Sequence, residues 1–206
     1  MKKNICLVLI ASMAIFSLSA CGKTENNETT TTAATAGTTT SEPATTATAE
    51  YEALPDQTVE LTDFEGTVFT GENYTMKISK NFVQRETTGI DFFQIDGTNT
   101  QINVVKDTIG KTSSLDDFLT NLTQTYDSID GYDAVSAGKI KLNNFDGIVI
   151  NYTISGSTAD SSKVIGRQIV IDCDGEFYAL TYSTVDADFT EHEAEAMAMF
   201  STFSKK

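Results

Sequence analysis

Residues 164–184, VIGRQIVIDCDGEFYALTYST, contain the stretch that decides the fold of this chain. Two apolar runs, rich in β-branched and aromatic residues, lie on either side of Asp174-Gly175. An Asp-Gly pair between two such runs is a strong signal for a β-hairpin with a two-residue turn. Because strands joined by so short a turn are antiparallel, the stretch predicts an antiparallel hairpin between residues 164–173 and 177–183.

Similar patterns occur on the N-terminal side of this hairpin. Residues 74–78 alternate between apolar and polar, which predicts a short strand, and residues 91–105 predict a second hairpin around Asp96-Gly97. Two further strands are predicted at residues 137–142 and 148–154. We therefore expect about six or seven strands.

Two segments have helical periodicity. Residues 115–126 carry one apolar stripe, with Ser114 and Asp117 placed to form a capping box at the helix start. A second helix is predicted over residues 189–203, with Thr190 and Glu193 as its cap. Helices with one apolar face need a sheet to lie on, so the sequence predicts an α+β domain: a mainly antiparallel sheet with helices packed on it.

The N-terminus has the layout of a secretory signal. Lys2-Lys3 precede an apolar run over residues 5–16, which is shorter than the roughly 20 residues of a transmembrane helix. Leu18-Ser19-Ala20-Cys21 resembles the lipobox of bacterial lipoproteins, in which the cysteine is diacylated and becomes the mature N-terminus. We interpret residues 1–20 as a lipoprotein signal peptide and Cys21 as a membrane anchor, with an ordinary signal peptide as the alternative.

The composition divides the rest of the chain in two. Residues 21–50 are rich in Thr and Ala and have almost no large apolar residue, so we expect a disordered tether starting at Cys21. Its Thr clusters are compatible with O-linked sugars or with a plain spacer. Residues 51–206 are long enough for a single globular domain with a hydrophobic core.

The domain is strongly acidic. Residues 51–206 carry 25 Asp and Glu against 11 Lys and Arg, a net charge of −14. Such a surface repels phosphate backbones, so we exclude nucleic acid as a partner. The acidic domain, the Thr-rich tether and Gly22 beside the anchor favour the extracytoplasmic face of a Gram-positive cell membrane.

The order of predicted elements resembles the PsbP-like (Mog1/PsbP/LpqN) fold over most of residues 66–204. The likeness rests on the strand YTMKIS, the helix SLDDFLTNLTQTY, the strand FDGIVINYTI, the hairpin at 164–184 and the final helix ending in FSTF. Where members often have Pro and then Trp after the first of these strands, this chain has Ser79 and Phe82. The resemblance implies an α/β/α sandwich with a non-enzymatic binding or accessory role, no cofactor and no catalytic residues.

Few residues suit catalysis. Cys173 is the only cysteine of residues 51–206, so it is either a reactive thiol or a small apolar residue of the core, and we favour the second. His192 is the only histidine of the chain, and no sequence signal places it beside Cys173. We therefore predict that the protein is not an enzyme.

Two binding sites remain as alternatives. Asp127, Asp130 and Asp133 surround Gly131 and are weak candidates for calcium ligands, although a polar loop is the simpler interpretation because the EF-hand spacing is absent. A set of aromatic residues either lines a groove for a small ligand or fills the interface between sheet and helix: Tyr74, Phe92, Phe93, Tyr178 and Tyr182.

Two functions follow from this sequence. The first, which we favour, is a surface-tethered interaction or accessory module that docks on a protein partner in the cell envelope. The second is a lipoprotein that holds a small molecule or lipid in a pocket between sheet and helix. The membrane is a predicted partner in both cases, through the lipid on Cys21.

Overall fold

The structure is a computed structural model that describes residues 51–107, 114–127, 129, 131–155, 163–185 and 188–206. Two helices lie within these ranges, α1 (Leu115–Asp127) and α2 (Phe189–Ser201). The strands of the same ranges are β1 (Glu52–Ala53), β2 (Gln57–Val59), β3 (Thr67–Thr70), β4 (Tyr74–Ile78), β5 (Phe82–Arg85), β6 (Asp91–Ile95), β7 (Gln101–Asp107), β8 (Tyr132–Leu142), β9 (Phe145–Ile154), β10 (Val164–Asp172), β11 (Phe177–Val185) and β12 (Ser204–Lys205).

The strands form a large sheet and a small sheet. The large sheet has nine strands in the order β1-β8-β9-β10-β11-β7-β6-β5, with β2 also paired to β8. The small sheet has the order β12-β4-β3. Within the described ranges, β1 and β2 pair with β8 in parallel, and the other pairs are antiparallel. The predicted α+β class and mainly antiparallel sheet are therefore confirmed.

The predicted number of strands, six or seven, is wrong, because the described ranges contain twelve. The five strands that the sequence pattern missed are β1, β2, β3, β5 and β12, which have only two to four residues each. An apolar–polar alternation is recognised over four to eight residues, and these strands lie at or below the lower end of that range. These short strands form because longer neighbours offer them an edge, which is a tertiary effect.

The central hairpin of β10 and β11 has the predicted two-residue turn. Asp172 pairs with Phe177, and the φ angles of Asp174 and Gly175 are +59° and +82°. Positive φ at both central residues is the signature of a type I′ turn, whose twist matches that of the flanking strands. The Asp172 carboxylate (Oδ1) accepts a hydrogen bond of 2.7 Å from the Gly175 N–H and closes the turn.

Both faces of the large sheet are buried. Ile169 and Leu180 belong to a core under α2 and the small sheet, whereas Val170 and Ala179 belong to a second core under α1. Successive residues of a strand point to opposite faces, so β10 and β11 contribute to both cores. The resulting order of layers is α1, the large sheet, and then α2 with the small sheet.

The two helices begin differently. Ser114 and Asp117 form the predicted capping box at α1, where the Asp117 N–H donates to Ser114 Oγ over 3.1 Å. The predicted cap of α2 is wrong: α2 begins after Asp188, and Thr190 and Glu193 lie inside its first turns. Among the residues described, no helix is long and apolar enough to cross a membrane.

The central turn depends on the positive φ of Gly175. We expect Gly175→Ala to lower the free energy of unfolding by about 1–2 kcal/mol, because an L-residue with a Cβ is strained in this conformation. Gly175→Asn is the matched variant, since Asn tolerates a left-handed conformation, and it should cost clearly less. Urea unfolding of both variants tests this, and equal losses would contradict it.

Candidate functional site

A polar cleft of about 240 Å³ opens where the start of β4 approaches β7 and β11. The β5–β6 loop around Gly89 forms a further wall. The side chains that give the cleft its chemistry are Glu72, Tyr74, Asp91, Val104, Lys106 and Tyr178.

Two buried tyrosines lie in the wall of the cleft. The Tyr74 hydroxyl donates a hydrogen bond of 2.7 Å to Asp91 Oδ2, and its ring stacks on Phe203 with 5.2 Å between ring centroids. The Tyr178 ring lies 6.0 Å from that of Tyr74, and its hydroxyl has no hydrogen-bond partner among the residues that the structure describes. Burial raises the pKa of both hydroxyls, so both remain protonated at neutral pH.

Lys106 lies directly opposite Tyr178 on the neighbouring strand. Its ammonium binds the Glu176 carboxylate at 2.8 Å, and Lys205 binds the other oxygen of the same carboxylate at 3.0 Å. The hydrogen bonds from these two lysines lower the pKa of Glu176 to about 2. Glu176 is therefore ionised at neutral pH and holds Lys106 at the side of the cleft.

The sequence left open whether five aromatic residues line a groove or fill the interface between sheet and helix. Tyr74 and Tyr178 line the cleft, whereas Phe93 and Tyr182 are buried in the same core without lining it. The Tyr182 hydroxyl donates to the Phe189 carbonyl at 2.7 Å. Phe92 alternates with Phe93 along β6 and so points to the opposite face of the sheet. The sequence pattern missed Glu72, Asp91 and Lys106, which carry the charge of the cleft.

A second surface lies on the outer face of the small sheet. A groove of about 430 Å³ runs between β3, β4 and the segment at residues 61–63. Leu61 and Val68 line it and are 68% and 59% exposed. Among the described strands, β3 pairs only with β4, so the other side of its backbone is an edge of the small sheet. Exposed apolar side chains beside an unpaired strand edge are typical of a protein-docking surface.

The structure separates Cys173 from His192. Cys173 is buried beside the β10–β11 turn, and burial raises the pKa of its thiol to about 12. His192 lies near the far end of β11, where its Nδ1 is 3.2 Å from Glu195 Oε2 and its ring contacts Phe82 edge-on. Tyr182 lies five positions along β11 from Phe177, which is roughly 17 Å of extended strand. The two side chains are too far apart to act as a catalytic pair.

Ser79 and Phe82 anchor the β4–β5 turn on α2. The Ser79 N–H donates to the Met199 sulfur at 3.2 Å, and its hydroxyl donates to Glu195. A proline at this position has no N–H and would lose the first of these bonds. Glu195 also accepts a hydrogen bond of 2.9 Å from the Asn81 side chain. Glu195, together with its neighbour His192, therefore has a structural role at this contact.

Several predicted site residues lie outside the described ranges. These are the anchor Cys21 with Leu18, Ser19 and Ala20, the calcium candidate Asp130, and the side chain of Asp127. Asp133 is exposed on β8, opposite Thr153 of β9. Among the residues that the structure covers, no three acidic, His or Cys side chains are grouped so as to hold a metal ion. Lipidation of Cys21 and calcium binding stay predictions.

Comparison with known proteins identifies the fold. No known family profile matches the sequence, and no curated protein matches it either. The solution structure of cyanobacterial PsbP (CyanoP) from Synechocystis sp. PCC 6803 superposes with a TM-score of 0.51 at 12% identity, over 68% of this chain and 91% of CyanoP.

Two crystal structures are also similar. A protein of Bacteroides thetaiotaomicron has a TM-score of 0.51 at 10% identity over 69% of this chain, which spans about half (49%) of that protein. LpqN of Mycobacterium tuberculosis, described as involved in cell envelope biogenesis, has a TM-score of 0.43 at 11% identity, over 65% of this chain and 83% of LpqN. The superposition on CyanoP shows that the chain has a PsbP-like fold, and the resemblance inferred from the sequence is confirmed at the level of the fold.

The buried thiol generates the first prediction from this site. Raising the pKa of Cys173 from 9.0 to about 12 lowers its thiolate population about a thousandfold at pH 8. We expect iodoacetamide to modify Cys173 about a thousandfold more slowly in the native chain than in the chain unfolded in guanidinium. Mass spectrometry of the peptide that contains Cys173 measures both rates. Rates within tenfold of each other would instead identify a reactive thiol.

The Glu176 ion pairs generate a pH prediction. Because the pKa of Glu176 is lower in the folded chain than its ordinary value of 4.5, its stabilising effect is complete above pH 4.5. The effect is lost as the pH falls from 4.5 to about 2. The thermal midpoint of Glu176→Gln should therefore lie below that of the wild type at pH 6, and the difference should vanish by pH 2.

Glu60→Gln is the control for this experiment, because it removes one negative charge from an exposed position. It should leave the midpoint nearly unchanged over the same range of pH. A Glu176→Gln difference that stays constant from pH 6 to pH 2 would contradict the assignment of the ion pairs.

Proposed function

We propose that this protein is a membrane-anchored extracytoplasmic lipoprotein whose α+β domain is a non-enzymatic interaction module of the cell envelope. The signal pattern and the lipobox-like residues before Cys21 support the anchor. The Thr/Ala-rich segment that follows supports a tether that holds the domain away from the membrane. These features support a location in which envelope proteins are the available partners of the domain.

The proposed docking function rests on the groove of the small sheet. It combines an unpaired edge at β3 with two exposed apolar side chains, Leu61 and Val68. An extended peptide that pairs with such an edge gains main-chain hydrogen bonds, and its alternate side chains reach the groove. The groove is open to solvent along its exposed residues Leu61 and Val68, which suits a peptide segment better than an enclosed small molecule.

The negative charge around the groove favours a basic partner. The segment beside the groove carries exposed Glu60, Asp63 and Glu65, and the whole domain has a net charge of −14. Lys77 lines the groove and supplies one positive charge, with its ammonium bound to the Phe64 carbonyl at 3.0 Å, so the three carboxylates remain in excess. We therefore propose that the partner contributes an extended segment with basic residues on either side of an apolar one.

Catalysis has little support in the same domain. The buried Cys173 and the distant His192 give no nucleophile–base pair. Two other acidic side chains have backbone roles, since Asp117 caps α1 and Asp172 closes a turn. A binding role is therefore the function that these residues favour.

Photo-crosslinking in the native cells tests this proposal. A photoreactive residue at Thr70, on the edge strand, should capture one envelope protein, and the linked peptide should be basic. Val68→Arg should lower the yield about tenfold or more, as expected for a residue at the centre of an interface. Val135→Arg, at an equally apolar position that is 45% exposed on β8, is the matched control and should leave the yield unchanged.

The anchor is tested with the same strains. Cys21→Ala should move the protein out of the membrane fraction and reduce the capture, because the tethered domain loses its local concentration near the partner. Two results would overturn the proposal. One is capture that is insensitive to Val68→Arg, and the other is a Cys21→Ala protein that stays in the membrane fraction.

A further inference from the structure

The hydrogen bonds of β4 show which way its backbone groups point. The Lys206 N–H donates to the Asn73 carbonyl at 3.0 Å, and the Lys77 N–H donates to the Thr202 hydroxyl at 2.8 Å. The N–H and C=O groups of successive residues in a strand point to opposite sides. The odd-numbered residues of β4 therefore direct these groups towards β12, and the even-numbered residues direct theirs towards β3.

The register between β4 and β3 extends this assignment to the edge of the small sheet. Two even-numbered residues of β4 lie opposite Thr67 and Phe69, which therefore exchange hydrogen bonds with β4. Val68 and Thr70 direct their N–H and C=O groups to the other side of β3, where none of the described strands lies. Thr67, Val68 and Thr70 are all exposed. The edge thus offers two donors and two acceptors to a partner.

Four groups on two alternate residues favour an antiparallel partner. An antiparallel strand reaches all four with two of its own residues, one opposite Val68 and one opposite Thr70. A parallel strand needs a span of about five residues, opposite positions 67–71, to reach the same groups. Because β3 ends at Thr70, the antiparallel arrangement fits its length better.

The outward side chains of β3 indicate what this partner strand carries. Val68 is 59% exposed beside the groove, so the partner residue opposite it is favoured to be apolar. Thr70 is exposed on the same face, and cross-strand pairs of Thr with Thr or Ser are favourable. Because the two strands run in opposite directions, the Thr or Ser of the partner precedes its apolar residue by two positions.

Two carboxylates lie near the ends of β3. Glu65 precedes the strand by two residues and Glu72 follows it by two, and both are exposed. A partner strand along β3 therefore passes a negative charge near each of its own ends. A basic residue before the Thr or Ser, and another after the apolar residue, complement these charges.

We propose that the partner of the docking groove, the groove on the small sheet, adds to β3 as an antiparallel strand. Its segment has the order Thr/Ser-x-apolar, with a basic residue before it and another after it. The Thr or Ser lies opposite Thr70, and the apolar residue lies opposite Val68. This inference rests on the proposed function, to which it adds the direction, the register and the order of side chains of the partner segment.

Photo-crosslinking from two positions in the native cells tests the direction. Photoreactive residues placed at Thr70 and, in a second strain, at Val68 should link to one segment of the same protein. The residue linked from Thr70 should lie about two positions closer to the partner's N-terminus. The reverse order, or links to unrelated segments, would overturn this inference and leave docking at the groove intact. Capture of no protein from either position would overturn the proposed function, and this inference with it.

Thr70→Pro tests the main-chain pairing. It removes an N–H that faces the free edge and keeps the bonds between β3 and β4, and proline is tolerated at such edge positions. With the photoreactive residue at Leu61, Thr70→Pro should lower the capture about tenfold or more, because one bond is lost and a partner carbonyl is left unpaired.

Thr70→Ala is the matched control, because it keeps the N–H and removes only the side-chain contact. It should lower the capture only about twofold. Thermal unfolding of both variants verifies the fold. Equal capture by folded Thr70→Pro and Thr70→Ala chains would overturn pairing at this edge, whereas the effect of Val68→Arg would still report on docking itself.

Discussion

The burial of β10 and β11 on both faces is the constraint on which the rest of the structure depends. Ile169 and Leu180 fill one core, Val170 and Ala179 fill the other, and all four are at most 4% exposed. A sheet with two apolar faces needs a covering layer on each side. Helix α1 covers one face, and α2 with the small sheet covers the other, so the order of layers follows from this one hairpin.

The small sheet links this packing to function. Its strand β4 buries Tyr74, Met76 and Ile78 against the core, while Thr75 and Lys77 face outward. The inward side meets β7 and β11 at the polar cleft, and the outward side presents the docking groove. The small sheet therefore contributes to both candidate surfaces, the polar cleft and the docking groove. The polar residues of these surfaces do not take part in packing the core.

The sequence could predict only part of the candidate site, because it does not show which strands are neighbours. Five aromatic residues were grouped as lining a groove or filling the interface between sheet and helix, and of these Tyr74 and Tyr178 line the cleft. Alternation along a strand shows which residues share a face of that strand. It does not show which strands are neighbours, and Lys106 joins Tyr178 only because β7 pairs with β11.

The sequence by itself determined the elements whose causes are local. The Asp174-Gly175 turn, the capping box at Ser114 and the long apolar strands each depend on a few adjacent residues, and each is present as predicted. The tertiary structure decided the order of the strands and the formation of the five short strands. Those features depend on contacts with a strand edge or a surface formed by residues that are distant in the chain. Local sequence patterns do not reveal such contacts.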